Sequence, residues 1–289
     1  WWAVHNYLQY GGVCVIAGTS DAEPTKVGTT RLQDRGVNLD VVFGATSGDA
    51  TGLAQISTTR GDCIAVIQLP GNTAPTASAY QGGADEFSFT VWGRKKHLDI
   101  SRSTREDSVT GLTTYITTDI APDVAGCIAR SDRLADPWWS PAGFKRGQIL
   151  NVVSMEHNPT DAEMDIMYDG KINPVVTFPG EGTVLFGDKT GAANTSTLSR
   201  INVSRLFIYL KKTIGAAARD KLFEFNDATT RSSFATAVAP VLNRIRARRG
   251  IYDYRVVCDE TNNTASIVDA NQFVADIFIK PAKSINYIR

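Results

Sequence analysis

The clearest hydrophobic pattern in the chain lies in its C-terminal third, where apolar residues recur at helical spacing. They fall at every third or fourth position across 202–223 and again across 232–249, and the second stretch ends at Gly250. This pattern predicts two long amphipathic helices, the second interrupted by Pro240. The predicted apolar stripes consist of Val203, Leu206, Phe207, Leu210 and Ile214 in the first helix and of Phe234, Val238, Val241, Leu242 and Ile245 in the second.

Shorter apolar runs predict strands on both sides of the chain's middle. In the first half they are LDVVF, DCIAVIQLP, FSFTVW and TTYITTDI, with a possible helix in the Gly- and Thr-rich stretch after the first run. In the second half INPVVTF and TVLF precede the two helices, and YDYRVVCDE and QFVADIFIKP follow them, linked by a polar loop. Strands that alternate with helices in this way favour an α/β fold with α+β elements.

Two segments lack a clear period. The stretch from His97 to Asp107 is charged and is predicted to be a turn region between two strands. The segment from Ala121 to Gln148 contains three prolines among glycines and aromatic residues, so we expect it to be irregular but well packed. We predict that the chain crosses between two domains here. The inner domain comprises 1–20 and 125–289, and an outer α/β domain is inserted at 21–124.

Composition narrows the function classes. The 289 residues are 43% hydrophobic and 21% charged, which is typical of a folded globular protein. The formal net charge is zero, whereas nucleic-acid-binding proteins usually carry a basic excess. No apolar run approaches the ~20 residues that span a bilayer, and the start does not resemble a signal peptide. We therefore expect neither direct nucleic-acid binding nor membrane insertion.

The ends of the chain indicate a fragment of a longer protein. The first residue is Trp1, and no methionine precedes Met155. The last six residues, SINYIR, alternate between apolar and polar positions like a strand. We expect further chain beyond this strand-like ending.

Several phrases in the sequence resemble one family. They are YLQYGGVCVI at the start, IAPDVAGCIARSDRLADPWWSPAGFKRGQI in the middle, and RINVSRLFIYLKKTI, FEFND, GIYDYRVVCDETNNT and IVDANQFVADIFIKPAKSINYI towards the end. Together and in this order they resemble the contractile tail sheath proteins of large-tailed (myovirus) bacteriophages. The resemblance covers about half of the chain, and 21–108 matches only in a general way.

The resemblance implies a structural role in the virion tail, with assembly in the host cytoplasm. Subunits of this family are expected to form hexameric rings that stack into a helical sleeve around a tail tube protein, and then to contract and drive the tube through the host envelope. Baseplate and tail terminator proteins are the other implied partners. We expect the family's N- and C-terminal arms, which add strands to neighbouring subunits, to lie outside this sequence.

The residues themselves suggest two contact regions. The alternating apolar residues Ile285, Tyr287 and Ile288 are candidates for strand exchange between copies, because an unpaired strand is a template for another chain. The run VADIFIKP could do the same, although an ordinary internal sheet explains it better.

The end of the second predicted helix is basic. It carries Arg244, Arg246, Arg248 and Arg249, and cations at a helix C-terminus favourably oppose the helix dipole. The sharper hypothesis is a contact with acidic residues of the tail tube or of a neighbouring subunit.

Signs of enzymatic chemistry are weak. GTVLFGDKT resembles a phosphate-binding loop, but Asp188 separates the second glycine from the lysine, so the motif fails and we predict a strand and turn. The four cysteines are widely spaced and are predicted to be reduced core residues. We therefore expect no cofactor, no metal site and no catalytic residues. A tailocin or bacterial secretion sheath is the main alternative, and an enzyme acting on nucleotides or cell-wall polymers is a minor one.

Overall fold

A computed structural model describes residues 1–14, 32, 36–44, 50–70, 85–99, 115–194 and 196–285. By packing, the chain divides into two compact units, Trp1–Arg205 (unit 1) and Leu206–Arg289 (unit 2).

Unit 1 combines short helices with two sheets. Its helices are α1 (Trp2–Leu8), α2 (Ala50–Arg60), α3 (Ala121–Leu134) and α4 (Asp161–Asp169), and α5 (Ile201–Arg219) begins in this unit. Its strands are β1 (Val41–Phe43), β2 (Ile64–Gln68), β3 (Ser88–Trp92), β4 (Arg94–Leu98), β5 (Tyr115–Asp119), β6 (Ser154–Met155), β7 (Ile172–Phe178) and β8 (Gly182–Leu185). The predicted α/β fold class is confirmed.

The larger sheet has the strand order β1-β2-β3-β7-β8. The first four strands run parallel, and β8 closes the sheet antiparallel to β7. All residues of β2 and β3 are buried, as expected for strands covered on both faces. Ala65 and Ile67 of β2 pack with Leu53 and Ile56 of α2, whereas the Gln68 side chain reaches the start of α3.

The charged segment before residue 100 forms a strand, so the predicted turn is wrong at its beginning. β4 pairs antiparallel with both β5 and β6 in a three-stranded sheet. Lys95 and His97 point inward, whereas Lys96 and Leu98 are exposed. Because the inward residues Lys95 and His97 are polar, the sequence of β4 lacks the alternation of apolar and polar residues that predicts a strand. Residues 100–107 of the predicted turn lie outside the described residues.

The proline-rich middle segment is also more regular than predicted. Residues 121–134 form the helix α3, with Pro122 in its first turn. Proline is tolerated there because the first amide groups of a helix have no partner within it. The side-chain oxygen of Gln68 accepts hydrogen bonds from the amides of Ile120 and Ala121 at 3.1 and 3.0 Å, which satisfies the helix start.

Unit 2 contains most of α5, followed by α6 (Ala228–Ala247), α7 (Ala265–Asp269) and the strands β9 (Ile251–Val257) and β10 (Asp276–Pro281). Both predicted long helices are confirmed, and α6 continues through Pro240. The polar loop predicted between the last two strands contains the short helix α7. The buried stripe of α6 includes Phe234, Val238, Leu242 and Ile245, as predicted.

The predicted division into inner and outer domains differs from the division by packing. The larger sheet draws β1, β2 and β3 from the proposed outer domain, 21–124, and β7 and β8 from the proposed inner one. The boundary between compact units lies between Arg205 and Leu206. The division into 1–20 with 125–289 and 21–124 stays a prediction about position in an assembly.

Candidate interaction surface of unit 2

Strands β9 and β10 form an antiparallel two-stranded ribbon at the end of the described chain. Val256 lies opposite Ile277, and Tyr254 lies opposite Ile279. These half-buried side chains share the face that packs against α6, since the Tyr254 hydroxyl lies 3.5 Å from the carbonyl oxygen of Ala239. The ribbon is therefore backed by a helix.

The opposite face of the ribbon is open. It carries the pair Asp253 and Lys280 and the pair Arg255 and Phe278, and all four side chains are exposed. Within the described residues, each of the two strands has the other as its only β-partner. The outer edges therefore present backbone groups in the geometry that accepts an added strand.

Asn263 fixes the connection between the two strands. Its side-chain amide donates to the carbonyl oxygen of Val274 at 2.7 Å, and its side-chain oxygen accepts from the amide of Val274 at 2.9 Å. Asn226, in the α5–α6 loop, also donates to Asn263 at 3.2 Å. Asn263 is buried and acts like a paired strand residue at the entrance to β10. The sequence marked it only as part of the DETNNT phrase.

The four arginines predicted as a contact site lie together at the end of α6. All four are exposed, and the Arg246 guanidinium lies 5.6 Å from the centre of the Tyr254 ring on β9. Arg249 has a left-handed backbone with φ of 64°, and the amide of Gly250 donates to the carbonyl oxygen of Ile245 at 2.9 Å. This turn ends the helix and joins the basic cluster directly to β9.

The predicted strand-exchange segment is only partly described. The amide of Ala282 still bonds the carbonyl oxygen of Gly250 at 3.0 Å, which extends the ribbon by one contact. Beyond it, Ile285 is irregular in backbone and exposed. Tyr287 and Ile288 lie outside the described residues. Their role in strand exchange stays a prediction.

Unit 1 holds a completely buried set of ionisable groups. Lys95 Nζ lies 2.8 Å from Asp123 Oδ1, and the Tyr10 hydroxyl donates to the same oxygen at 3.0 Å. Burial raises the pKa of Asp123, and Lys95 and Tyr10 oppose that shift. Burial also raises the pKa of the neighbouring Cys127 thiol to about 12, which keeps it protonated. These contacts tie the segment after α1 to β4 and α3.

The loop that resembled a phosphate-binding motif is occupied by internal bonds. Asp188 forms an ion pair with Arg200 at 3.1 Å. Lys189 Nζ donates to the carbonyl oxygen of Tyr168 at 2.6 Å and lies over its ring. The lysine is therefore committed to the fold, and the predicted strand and turn are confirmed by β8 and the loop after it.

Other candidate sites have structural partners. None of the four cysteines forms a disulfide. Cys63 and Cys127 are buried as predicted, whereas Cys14 and Cys258 are only partly buried, so the predicted core position is wrong for these two. Among the described residues, no group of three His, Cys, Asp or Glu side chains is arranged to hold a metal ion. Over the same part of the chain, no helix combines the length and apolar character needed to cross a bilayer.

Comparisons with known proteins agree with this architecture. Residues 44–191 match the phage tail sheath protein central domain, and residues 193–289 match the phage tail sheath C-terminal domain. The tail sheath protein of Enterobacteria phage T4 is 40% identical over 248 residues, which cover 82% of this chain and 37% of that protein. The tail sheath protein of Vibrio phage KVP40 is 52% identical over 169 residues, which cover 58% of this chain and 25% of that protein.

Solved structures show the same fold at low sequence identity. The anti-feeding prophage helical sheath in its contracted state aligns with a TM-score of 0.79 and 16% identity, covering all of this chain and 80% of that one. The contracted PVC sheath complex of an extracellular contractile injection system gives a TM-score of 0.77 and 19% identity, covering 78% of its chain. The chain spans well under half the length of the curated relatives. Because the matched central domain alone covers about half of the chain, and the C-terminal domain follows it directly, the chain belongs to the phage tail sheath family.

Proposed function

We propose that this chain is the assembling body of a contractile phage tail sheath subunit. In this role, copies polymerise as a helical sleeve around a tail tube and then contract to drive the tube through the host envelope. The observation that carries the proposal is the match to both sheath domains in sequence order. The curated relatives at 40% and 52% identity are named tail sheath proteins of phages, which favours a virion tail over a tailocin or secretion sheath.

The β9–β10 ribbon supplies the mechanism of assembly. An arm from a neighbouring copy can add to an outer edge of the ribbon through backbone hydrogen bonds, which do not depend on a particular sequence. Ile285, Tyr287 and Ile288 are the residues proposed to pair with the next copy. Neighbours joined by shared strands can pass a change in packing along the sleeve, because packed interfaces tend to be bistable.

In this proposal the subunit performs no reaction. The free energy for contraction comes from interfaces that repack between two arrangements, so neither a nucleotide nor a metal is needed. A thermal shift with ATP and magnesium tests this directly, because a bound nucleotide would raise the unfolding temperature. The enzyme alternative predicts such a shift, and the sheath proposal predicts none.

The arginine cluster is the proposed contact with the tail tube or with a neighbouring subunit. Arg244, Arg246, Arg248 and Arg249 give one helix end a concentrated positive charge, and complementary charge on a partner would fix its register. Reversing the charge of Arg244 and Arg248 in the complete protein should then abolish decoration of tubes. Normal sleeves from this variant would leave the cluster with only its helix-capping role.

Electron microscopy of the complete protein, expressed alone, tests the main proposal. Long regular tubes are expected, whereas a dispersed monomer would contradict it. The isolated chain, 1–289, should be monomeric or weakly associated, because it spans well under half the length of its curated relatives. Stable rings of the isolated chain in a sedimentation experiment would contradict this expectation.

A further inference from the structure

The loop between α5 and α6 exposes three large apolar side chains, Leu222, Phe223 and Phe225. Leu222 is 61% exposed, Phe225 is 86% exposed, and Phe223 is completely exposed. Single exposed apolar residues are common on protein surfaces, but several large ones grouped together usually mark an interaction site. These three residues are called the apolar tip.

The apolar tip is held in a fixed shape. The amide of Leu222 donates to the carbonyl oxygen of Arg219 at 3.1 Å, and the amide of Glu224 donates to that of Lys221 at 3.3 Å. Phe223 adopts a left-handed backbone with φ of 72°, which is unfavourable for an aromatic residue. A strained and internally bonded loop that points aromatic rings into water is preorganised for binding.

The α6 side of the loop is equally well anchored. Asp227 caps α6 by accepting a hydrogen bond from the amide of Thr230 at 2.7 Å. Arg231 donates to the carbonyl oxygen of Asn226 at 3.2 Å and to its side-chain oxygen at 2.9 Å. The apolar tip therefore sits between two fixed helix ends and would lose little freedom on binding.

Unit 1 carries a second exposed apolar surface, formed by Phe144, Phe178 and Phe186. The ring centres of Phe144 and Phe178 are 5.3 Å apart, and those of Phe178 and Phe186 are 5.1 Å apart. Phe144 and Phe186 are each more than two-fifths exposed. Rings in mutual contact with open faces offer a ready surface for further aromatic side chains. These three residues are called the aromatic patch.

One exposed charged residue within the apolar tip is opposite in sign to one beside the aromatic patch. Glu224 lies between Phe223 and Phe225 in the apolar tip, and Lys145 follows Phe144 in the aromatic patch. Both side chains are exposed, and within the part of the chain that the structure describes neither forms an ion pair. In a contact between the two surfaces, the apolar side chains would supply the affinity. The pairing of Glu224 with Lys145 would fix the relative position of the two partners.

We propose that the apolar tip of one copy packs on the aromatic patch of a second copy, with Glu224 facing Lys145. The partner's identity rests on the proposed function, since a sheath subunit must bind its own kind. The tip and the patch are different surfaces, so each copy can use both at once. Such a heterologous contact can repeat from copy to copy, as a ring or a helical array requires.

Charge exchange between the two surfaces tests the proposal. Sedimentation equilibrium of the original chain at high concentration should show weak association that grows with concentration. Glu224→Lys and Lys145→Glu should each weaken that association by about tenfold or more, because like charges then meet in the contact. Phe223→Ser combined with Phe225→Ser should abolish it. Glu260→Lys, an equal charge change at an exposed position outside both surfaces, should leave it unchanged.

Mixing the two single variants gives the sharpest result. The lysine at 224 of one variant then meets the glutamate at 145 of the other, and Glu224 of the second variant meets Lys145 of the first. Open-ended association should therefore return in the mixture, with the two variants alternating. The double variant, with both changes on one chain, should regain open-ended association. Single variants that associate like the original chain, a mixture that gains nothing, or an original chain without any association would each overturn the proposal. Tubes from the complete protein would still support the sheath function in that case.

Discussion

Lys95 Nζ and Asp123 Oδ1 lie 2.8 Å apart, and neither side chain has any exposure to solvent. Lys95 also donates to the carbonyl oxygen of Leu150 at 3.0 Å, and the Tyr10 hydroxyl accepts from the amide of Leu150 at 2.8 Å. One buried ion pair thus joins the segment after α1, β4, α3 and the chain before β6. Unit 1 depends on this junction because a buried charge is costly without its partner.

Replacing Lys95 by Met should destabilise the chain strongly. The change leaves Asp123 buried without its cation, which typically costs ~3–5 kcal/mol. The matched control is Lys96→Met, because Lys96 is the next residue of β4 but points to solvent. Chemical denaturation of both variants measures the difference in free energy of unfolding. Equal effects at 95 and 96 would show that the buried pair does not hold unit 1 together.

Two helical glycines should respond to alanine in opposite directions. A Cβ at Gly126 in α3 would lie 2.3 Å from the Tyr10 ring, whereas nothing lies within 4 Å of a Cβ at Gly215 in α5. Gly126→Ala must therefore displace Tyr10, and overpacking of this kind costs ~1–3 kcal/mol. Gly215→Ala should stabilise α5 by about 0.5–1 kcal/mol, because alanine loses less backbone entropy. Thermal unfolding of the two variants should show melting temperatures that move apart; a shared direction would contradict the predicted contact.

The elements with a clear hydrophobic periodicity could be predicted from the sequence. Those stabilised by residues distant in the sequence could not. The helices α5 and α6 and the strand β7 follow from apolar spacing alone. The helix α3 did not, because its start needs the side chain of Gln68 from another strand. β4 was hidden because its inward residue Lys95 is charged, and only Asp123 on another element makes that burial possible.

The interaction surface of unit 2 was likewise predictable only where local sequence determines it. The arginines at the end of α6 were predicted from local sequence, and the structure groups them beside β9. The role of Asn263 was not predicted, because the backbone groups of Val274 that it bonds are brought to it by the fold. The exposed rings of Phe223 and Phe225 were also missed, since nothing local distinguishes an exposed phenylalanine from a buried one.

Asn263→Ala should loosen the ribbon. It leaves the amide and carbonyl of Val274 without their partner, and each buried unsatisfied group costs ~1–3 kcal/mol. Thr264→Ala is the control, because Thr264 is exposed and its side chain makes no capping bond to α7. Hydrogen exchange should accelerate in β10 for the first variant only. Unchanged protection of β10 in Asn263→Ala would exclude this asparagine as the anchor of the strand.

Acid should weaken the start of α6 through Asp227. The pKa of this carboxyl is lowered, chiefly by the hydrogen bond from the Thr230 amide. A carboxyl with a lowered pKa in the folded state stabilises the fold above its unfolded pKa of about 4, and that stabilisation is lost as the pH falls through the lower folded value. Asp227→Asn keeps a side-chain oxygen that can cap the helix but cannot titrate at this position.

The measurement is the melting temperature of the original chain minus that of Asp227→Asn as the pH is lowered. The difference should stay constant between neutral pH and about pH 5, and shrink below about pH 4, because only the original chain takes up a proton at 227 on unfolding. Asp259 and Glu163, whose pKa values are also lowered by hydrogen bonds, titrate in both proteins and cancel in the difference. A difference that is independent of pH would mean that the charge of Asp227 contributes nothing to the cap.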